Sequence, residues 1–218
     1  MSSPAKRDKT RGSRVQTVSG EYIRVAKTRR LAFSAMFAAL ALIFSYVEVL
    51  IPIPVPIPGV KLGIANLVIL IALYRMGFRY AFSINCVRIV IAGLLFSGVF
   101  GMIYSFAGGI LSLVVMVLLK RTGLFSMVGV SMAGGVAHNL GQLIAACFIV
   151  SNAALMSYFS VLLFTGLMGG ILIGMLSYII EKRLPADIRW GFRKEDVLWK
   201  SKEYGKYFSA RQARRKKS

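Results

Sequence analysis

The sequence predicts an all-α integral membrane protein, and its composition and the distribution of its charges are the two observations behind this prediction. Of the 218 residues, 56% are hydrophobic and the mean hydropathy is +0.67, which is high for a soluble domain. Only seven of the 36 charged residues, counted as 28 basic plus 8 acidic, lie between residues 31 and 180. Long uncharged segments of about 20 apolar residues are typical of transmembrane helices.

The apolar segments number six and are joined by short connections, so neighbouring helices should be antiparallel in one bundle. The predicted spans cover approximately residues 31–50, 60–76, 80–97, 102–119, 125–150 and 155–180. This gives a transmembrane domain over residues 31–181 between two basic tails, 1–30 and 182–218. No secretory signal peptide is evident in the first tail. The second tail mixes tryptophans with basic residues and is either an amphipathic segment on the inner membrane surface or a disordered tail.

The basic residues alternate along the predicted topology and set its orientation. The two tails hold nine and thirteen Lys and Arg residues, the second loop holds Arg75 and Arg79, and the fourth holds Lys120 and Arg121. The other three loops together hold only Lys61. The positive-inside rule therefore predicts that both termini are cytoplasmic. The net charge of +20 then reflects this topology and contact with anionic lipids, and we expect no nucleic-acid partner.

The first connection contains the stretch IPIPVPIPG at residues 51–59, with proline at every second position. Proline lacks an amide donor and fixes its φ angle, so this stretch ends the first helix and remains extended. On the predicted topology it lies outside the membrane. It is either a strap that gates an outward-facing pocket or a plain connector that covers the outer end of the bundle.

Polar side chains at membrane depth are the candidate functional residues, because they are costly there and usually face a cavity or a partner. Arg88 lies roughly 13 Å from the cytoplasmic end of its helix, too deep to reach either surface easily. His138 and Gln142 are four residues apart and share a helix face. The candidate ligand-binding residues are Glu48, Lys61, Asn66, Asn85, Arg88, His138, Asn139 and Gln142.

Two interpretations of these polar residues remain open. Lys61 and Arg88 place two cations against one anion, Glu48, which favours a pocket for a ligand with a carboxylate or phosphate. Alternatively, Glu48 neutralises one of the two cations, Lys61 extends to the membrane surface, and the amides bridge helices. His138 is equally compatible with a packed helix-bridging side chain and with a ligand contact.

Small residues recur at helix-packing spacing. The glycine pairs in FAGGILS, MAGGVAH and LMGGILIG fall in the last three predicted helices and allow close helix approach. In the first helix, Ala35 and Ala39 are four residues apart, and Ser34 with Ala38 gives a competing register. These residues either pack within the bundle or form a docking face for another membrane protein.

Enzymatic function is not expected from the residues present. The chain has no Walker A motif, its aspartates occur only in the tails, and magnesium–diphosphate chemistry normally requires clustered carboxylates. Its single histidine excludes a multi-histidine metal site, and Cys86 and Cys147 lie in apolar segments, as expected of reduced and packed thiols. We therefore expect neither a cofactor nor a metal.

The motifs PGVKLGIAN and AGGVAHNLGQL, within a match over roughly residues 30–183, resemble the Gx transporter family, also labelled heptaprenyl diphosphate synthase component I. That family resembles the substrate-binding S components of energy-coupling factor (ECF) transporters. The resemblance implies a six-helix fold with both ends in the cytoplasm of a prokaryote, inserted in its plasma membrane. It also implies a first loop that covers the pocket, and a small-residue motif, here Ala35 and Ala39, that contacts a transmembrane coupling subunit carrying two ATPases.

The resemblance implies a membrane subunit that binds a small molecule for uptake: a vitamin-like or an isoprenoid- or quinone-related compound, anionic according to the candidate residues. The alternative is a non-catalytic membrane accessory subunit of heptaprenyl diphosphate synthase or of a redox system. A stand-alone transporter is a third option.

Overall fold

The computed structural model describes residues 4–50 and 63–184. Lys61, the proline-containing stretch and the C-terminal tail beyond residue 184 lie outside the described residues, so the predictions made for them remain predictions. Residues 34–50 and 63–184 belong to one compact unit, and residues 4–33 belong to a second.

Within the described residues the secondary structure is helical throughout, which confirms the predicted all-α class. The α-helices are α1 (Pro4–Leu50), α2 (Asn66–Arg75), α3 (Phe78–Ala92), α4 (Gly98–Thr122), α5 (Met127–Val150) and α6 (Phe159–Arg183). A π-helical turn, Gly93–Ser97, joins α3 to α4, and a 3-10 turn, Ala153–Tyr158, precedes α6.

Helix α1 begins well before the predicted start at residue 31. Its apolar part, Lys27–Leu50, is long enough to cross a membrane, but the helix itself starts at Pro4. Hydropathy marks only the membrane-compatible part of a helix, whereas lysine, arginine and glutamine are good helix formers and continue the helix without an apolar signal. The predicted basic tail 1–30 is therefore largely helical.

Helix α2 is much shorter than the predicted span over residues 60–76. Its ten residues, Asn66–Arg75, rise about 15 Å, roughly half of a hydrocarbon layer of about 30 Å. Gly63 has a φ of +78°, a left-handed conformation that ends any helical continuation on the N-terminal side. All residues of α2 except Tyr74 are buried, so this half-length helix lies in the interior of the bundle.

In residues 4–50 and 63–184, four segments are long and apolar enough to cross a membrane: Lys27–Leu50, Phe78–Thr122, Met127–Val150 and Ala153–Arg183. The segment Phe78–Thr122 is divided at Gly98, whose φ of +67° starts α4 in a new direction. A Cβ on Gly109 would lie 2.9 Å from the Asn85 amide nitrogen, and one on Gly93 would lie 2.7 Å from Met102. These pairs show that α3 and α4 lie antiparallel, side by side.

The glycine pairs of the last three helices pack within the bundle. A Cβ added to Gly141 would lie 2.7 Å from the carbonyl oxygen of Ala107 on α4, and one on Gly135 would lie 2.4 Å from that of Gly166 on α6. Only hydrogen fits at such positions, so α5 approaches α4 and α6 almost backbone to backbone. This close approach fixes the rotation of α5 and hence the direction in which each of its polar side chains points.

Large apolar side chains cover the outside of these helices. Leu94 and Phe148, for example, are 77% and 80% exposed, whereas the polar side chains discussed below are buried. An apolar outside with a polar inside is the arrangement that a lipid environment favours, because lipid cannot satisfy polar groups.

Candidate functional site

The buried polar side chains of the described residues include every candidate predicted from the sequence except Lys61, which lies outside them. Each is less than a tenth exposed. These buried candidates are Glu48, Asn66, Asn85, Arg88, His138, Asn139 and Gln142. The hydrogen-bond partners of these residues matter for stability, because a buried polar group without a partner costs several kcal/mol.

Glu48 connects the outer part of α1 to the start of α2. Its Oε1 atom accepts hydrogen bonds from the backbone N–H groups of Gly63 and Ile64, the second at 3.3 Å. These donors directly precede α2, whose first turn is closed by the bond from the Asn66 N–H to the Gly63 carbonyl oxygen at 2.8 Å. The carboxylate therefore satisfies N–H groups at a helix start and complements its positive dipole end.

Arg88 lies between α1 and its own helix, α3. Its Nη1 atom donates to Ser45 Oγ at 3.1 Å, and Nη2 donates to Asn85 Oδ1 at 2.8 Å. Its Nε–H has no acceptor among the described residues. Glu48 is close enough to interact with the guanidinium by charge. Sequence analysis missed Ser45, although it lies one helical turn before Glu48, a spacing that places both on one face of α1.

Two neighbouring glycines of α4 bring the α3 and α5 polar residues towards each other. Gly109 faces Asn85, whereas Gly108 faces α5: a Cβ there would lie 2.7 Å from the His138 carbonyl oxygen and 2.8 Å from Gln142 Cγ. On the other side of His138, a Cβ on Gly63 would lie 3.4 Å from its Cδ2 atom and 2.8 Å from Asn66 Nδ2. The shared helix face predicted for His138 and Gln142 thus points to α4.

We call these side chains the polar cluster: Ser45, Glu48, Asn66, Asn85, Arg88, His138 and Gln142. They come from α1, the start of α2, α3 and α5, with the glycines of α4 between them. Asn66 lies about 14 Å along α2 from its last residue, and Arg88 lies about 15 Å along α3 from its first. The polar cluster therefore lies about 15 Å from the side of the bundle at which α2 ends and α3 begins.

Asn139 is separated from the polar cluster and points to α6. Its Nδ2 atom donates to the Leu162 carbonyl oxygen at 2.8 Å and lies 3.3 Å from Thr165 Oγ1. A Cβ on Gly166 would lie 2.9 Å from the same amide. The geometry gives Asn139 a helix-bridging contact, which was the alternative interpretation for the amides, and does not bring it together with Arg88.

A second group of polar contacts closes the opposite end of α2, which we call the basic end. Arg75 Nε lies 3.2 Å from Glu181 Oε1, and its Nη2 atom donates to the carbonyl oxygens of Glu181 and Leu184. Lys120 Nζ donates to the Leu73 carbonyl oxygen at 2.6 Å. The predicted second span, 60–76, included Arg75, although the charge count assigned it to the second loop. Arg75 is the buried last residue of α2, and the C-terminal carbonyl groups of α6 provide its acceptors.

The two candidate contact registers on α1 differ in exposure. Ala35 and Ala39 are exposed, whereas Ser34 and Ala38 are partly buried. The buried positions of the apolar part of α1 are Phe37, Ala41, Ser45 and Glu48. Of the two registers, Ala35 and Ala39 therefore leave more surface for a neighbouring membrane protein, and their role as a contact remains a prediction.

In the described part of the chain, no group of three or more His, Cys, Asp or Glu side chains comes together. Cys86 and Cys147 are free thiols, each partly buried. What the polar cluster offers chemically is a guanidinium, a carboxylate, amides and an imidazole, which can bind and orient a polar molecule.

Helices able to cross a membrane, with a buried polar cluster between them, define an integral membrane protein with a polar interior. Residues 37–180 match the family described as heptaprenyl diphosphate synthase component I. Because this match covers more than half of the 218 residues, the chain belongs to that family. No curated protein and no solved structure shows significant similarity to the chain.

Proposed function

We propose that this protein is a membrane-embedded substrate-binding subunit for uptake of a small anionic molecule, vitamin-like or related to isoprenoids or quinones. Separate ATPase subunits, joined through a transmembrane coupling subunit, would power the uptake. The observation that carries the proposal is Arg88, a buried guanidinium about 15 Å along α3 from its first residue, with an N–H that lacks an acceptor among the described residues.

The composition of the polar cluster supports ligand binding over simple helix bridging. Helix bridging requires one donor and one acceptor, as in the contact of Asn139 with α6. The polar cluster instead concentrates a guanidinium, an imidazole and three amides in a region that is otherwise apolar. Such groups inside a membrane mark a substrate pathway or site more often than a structural contact.

The half-length helix α2 provides a second argument. Discontinuous membrane helices are common at substrate sites, because their N-termini present positive dipole ends at mid-depth. Helix α2 begins beside Glu48 and His138 and ends at the basic end. An anionic group at the polar cluster would therefore be attracted both by Arg88 and by the start of α2.

The family name favours a second candidate function. Its words "component I" imply a partner, and "heptaprenyl diphosphate synthase" implies an enzyme. The protein would then be a non-catalytic membrane subunit, with any prenyl-transfer chemistry on that partner. Both candidates assign no catalytic residue to this chain, whose membrane domain lacks the aspartate clusters that magnesium–diphosphate chemistry uses.

Native mass spectrometry of the detergent-purified protein tests the proposal directly. We expect one small anionic molecule per chain, and we expect its loss in Arg88→Gln. The matched control is Arg79→Gln, which removes an exposed arginine from the same helix and should leave the bound molecule in place. Arg88→Lys retains the positive charge but has fewer hydrogen-bond donors. We therefore expect it to fold normally and to bind the small molecule more weakly than the wild type.

The outcomes separate the two candidate functions. A wild-type protein that contains no small molecule and purifies with a synthase subunit would favour the accessory function. A molecule that remains bound in a folded Arg88→Gln variant would refute the assignment of Arg88. If Arg88→Gln does not fold, the weaker binding expected of Arg88→Lys provides the test.

A further inference from the structure

The start of α2 forms an anion site that the chain fills with its own carboxylate. Two successive backbone N–H groups, those of Gly63 and Ile64, donate to the same atom, Glu48 Oε1. Gly63 can present its N–H in this direction because its φ is +78°. Successive N–H groups in such a turn, next to a helix N-terminus, form a well-known type of anion-binding site.

Arg88 provides a second, independent indication that this site suits an anion. It is 4% exposed, and two of its three nitrogen atoms bind Ser45 and Asn85, which are uncharged acceptors. Its Nε–H has no acceptor among the described residues, although Glu48 acts on the guanidinium by charge. The cation is thus close enough to Glu48 to feel its charge and retains a donor for another group.

The charge balance makes Glu48 the decisive group. Residues 34–50 and 63–184 contain one carboxylate side chain besides Glu48, that of Glu181, which pairs with Arg75 at the basic end. Without Glu48, the polar cluster would contain the cation Arg88 and the start of α2 with no negative charge opposite them. An incoming anion can provide this charge only where Glu48 does not.

We propose that the Glu48 carboxylate is a placeholder, and that a ligand carboxylate or phosphate takes its position at the N–H groups of Gly63 and Ile64, beside Arg88. This inference rests on the proposed function and adds that ligand binding is a competition with an internal anion. Glu48 would therefore weaken binding, whereas a conventional ligand contact would strengthen it.

The substitution Glu48→Gln separates these two roles. A carboxamide oxygen can still accept an N–H bond, but a bond to an ionised acceptor is roughly twice as strong as a bond to a neutral one. The variant should therefore release the N–H groups more readily and leave Arg88 unbalanced. We expect inorganic phosphate and diphosphate to bind roughly tenfold more tightly to Glu48→Gln than to the wild type.

The experiment is isothermal titration of the full chain in phosphatidylcholine nanodiscs with phosphate and diphosphate, with chloride at equal ionic strength as the blank. Glu181→Gln is the matched control, because it removes the other membrane-domain carboxylate and should leave the phosphate affinity unchanged. The gain should disappear when Arg88→Gln is added to Glu48→Gln. If Glu48→Gln does not fold, Glu48→Asp carries the test. Its shorter carboxylate keeps the negative charge but reaches the two N–H groups less well, so phosphate should bind more tightly than to the wild type, by less than the tenfold expected of Glu48→Gln.

Unchanged or weaker phosphate binding in the folded Glu48 variants would overturn the placeholder role. The proposed function would survive that result if the wild type still purified with its own small molecule, so the two failures are distinguishable. Repeating the titration in nanodiscs with anionic phosphatidylglycerol identifies the natural source of the anion. Loss of the gain there would show that a lipid headgroup competes for the site, whereas persistence of the gain would indicate a free solute.

Discussion

Replacing Gly135 by alanine should separate helices α5 and α6 and destabilise the protein. The added Cβ would lie 2.4 Å from the carbonyl oxygen of Gly166, whereas ordinary van der Waals contacts begin at 3.4 Å. The helices must therefore separate locally by about 1 Å, which removes a quarter to a half of the attraction between facing atoms. Overpacking of this kind costs typically 1–3 kcal/mol in the free energy of unfolding.

The control for this substitution is Gly129→Ala on the same helix. A Cβ on Gly129 would lie 3.6 Å from Phe125, an ordinary contact, so this variant should gain up to about 1 kcal/mol from helix propensity. The assay is reversible unfolding in mixed micelles, with the midpoint compared among wild type, Gly129→Ala and Gly135→Ala. Equal midpoints for the two variants would refute the close approach of α5 to α6 and with it the rotation of α5 described above.

Two further predictions concern the contact between α5 and α6 and the basic end. Asn139→Leu should lower the free energy of unfolding by about 0.6 kcal/mol, the average contribution of a hydrogen bond within a membrane, because the bond to the Leu162 carbonyl oxygen is lost. Unfolding and ligand titration of this variant should show lower stability and an unchanged affinity for the ligand. Glu181→Gln should lower the unfolding midpoint, because Arg75 loses its ion-pair partner. The control, Lys182→Gln, changes an exposed residue and should leave the midpoint unchanged. Equal midpoints for the two variants would contradict the ion pair of Arg75 with Glu181.

The sequence was sufficient for the helical class and for the choice of polar residues that are buried. Long uncharged segments identified the apolar helices, and seven of the eight candidate residues, the exception being Lys61, are buried within the described part. The choice of buried residues succeeds because each polar group in an apolar segment must find a hydrogen-bond partner inside the protein. A polar residue in an apolar segment can be recognised from the sequence even when its partner is unknown.

The partners themselves could not be predicted, because they depend on helix rotation and on the ends of helices. Asn139 and His138 are neighbours in sequence, yet one contacts α6 and the other lies beside Gly108 of α4. Their positions in the sequence do not reveal which neighbouring helix lies on which side of α5. The acceptors of Arg75 were likewise not predictable, because they are main-chain oxygens of Glu181 and Leu184, which carry no sequence signal.

The short helix α2 connects the two polar regions of the bundle. Its last residue, Arg75, is held by Glu181 and Leu184, and Lys120 binds the Leu73 carbonyl oxygen, so this end is fixed by several charged contacts. Its start is held by one carboxylate, that of Glu48, at the N–H groups just before the helix. A group that displaces Glu48 therefore frees the start of α2 and leaves its end fixed. Any movement that accompanies ligand binding should accordingly concentrate at the start of α2, beside the polar cluster, and diminish towards the basic end.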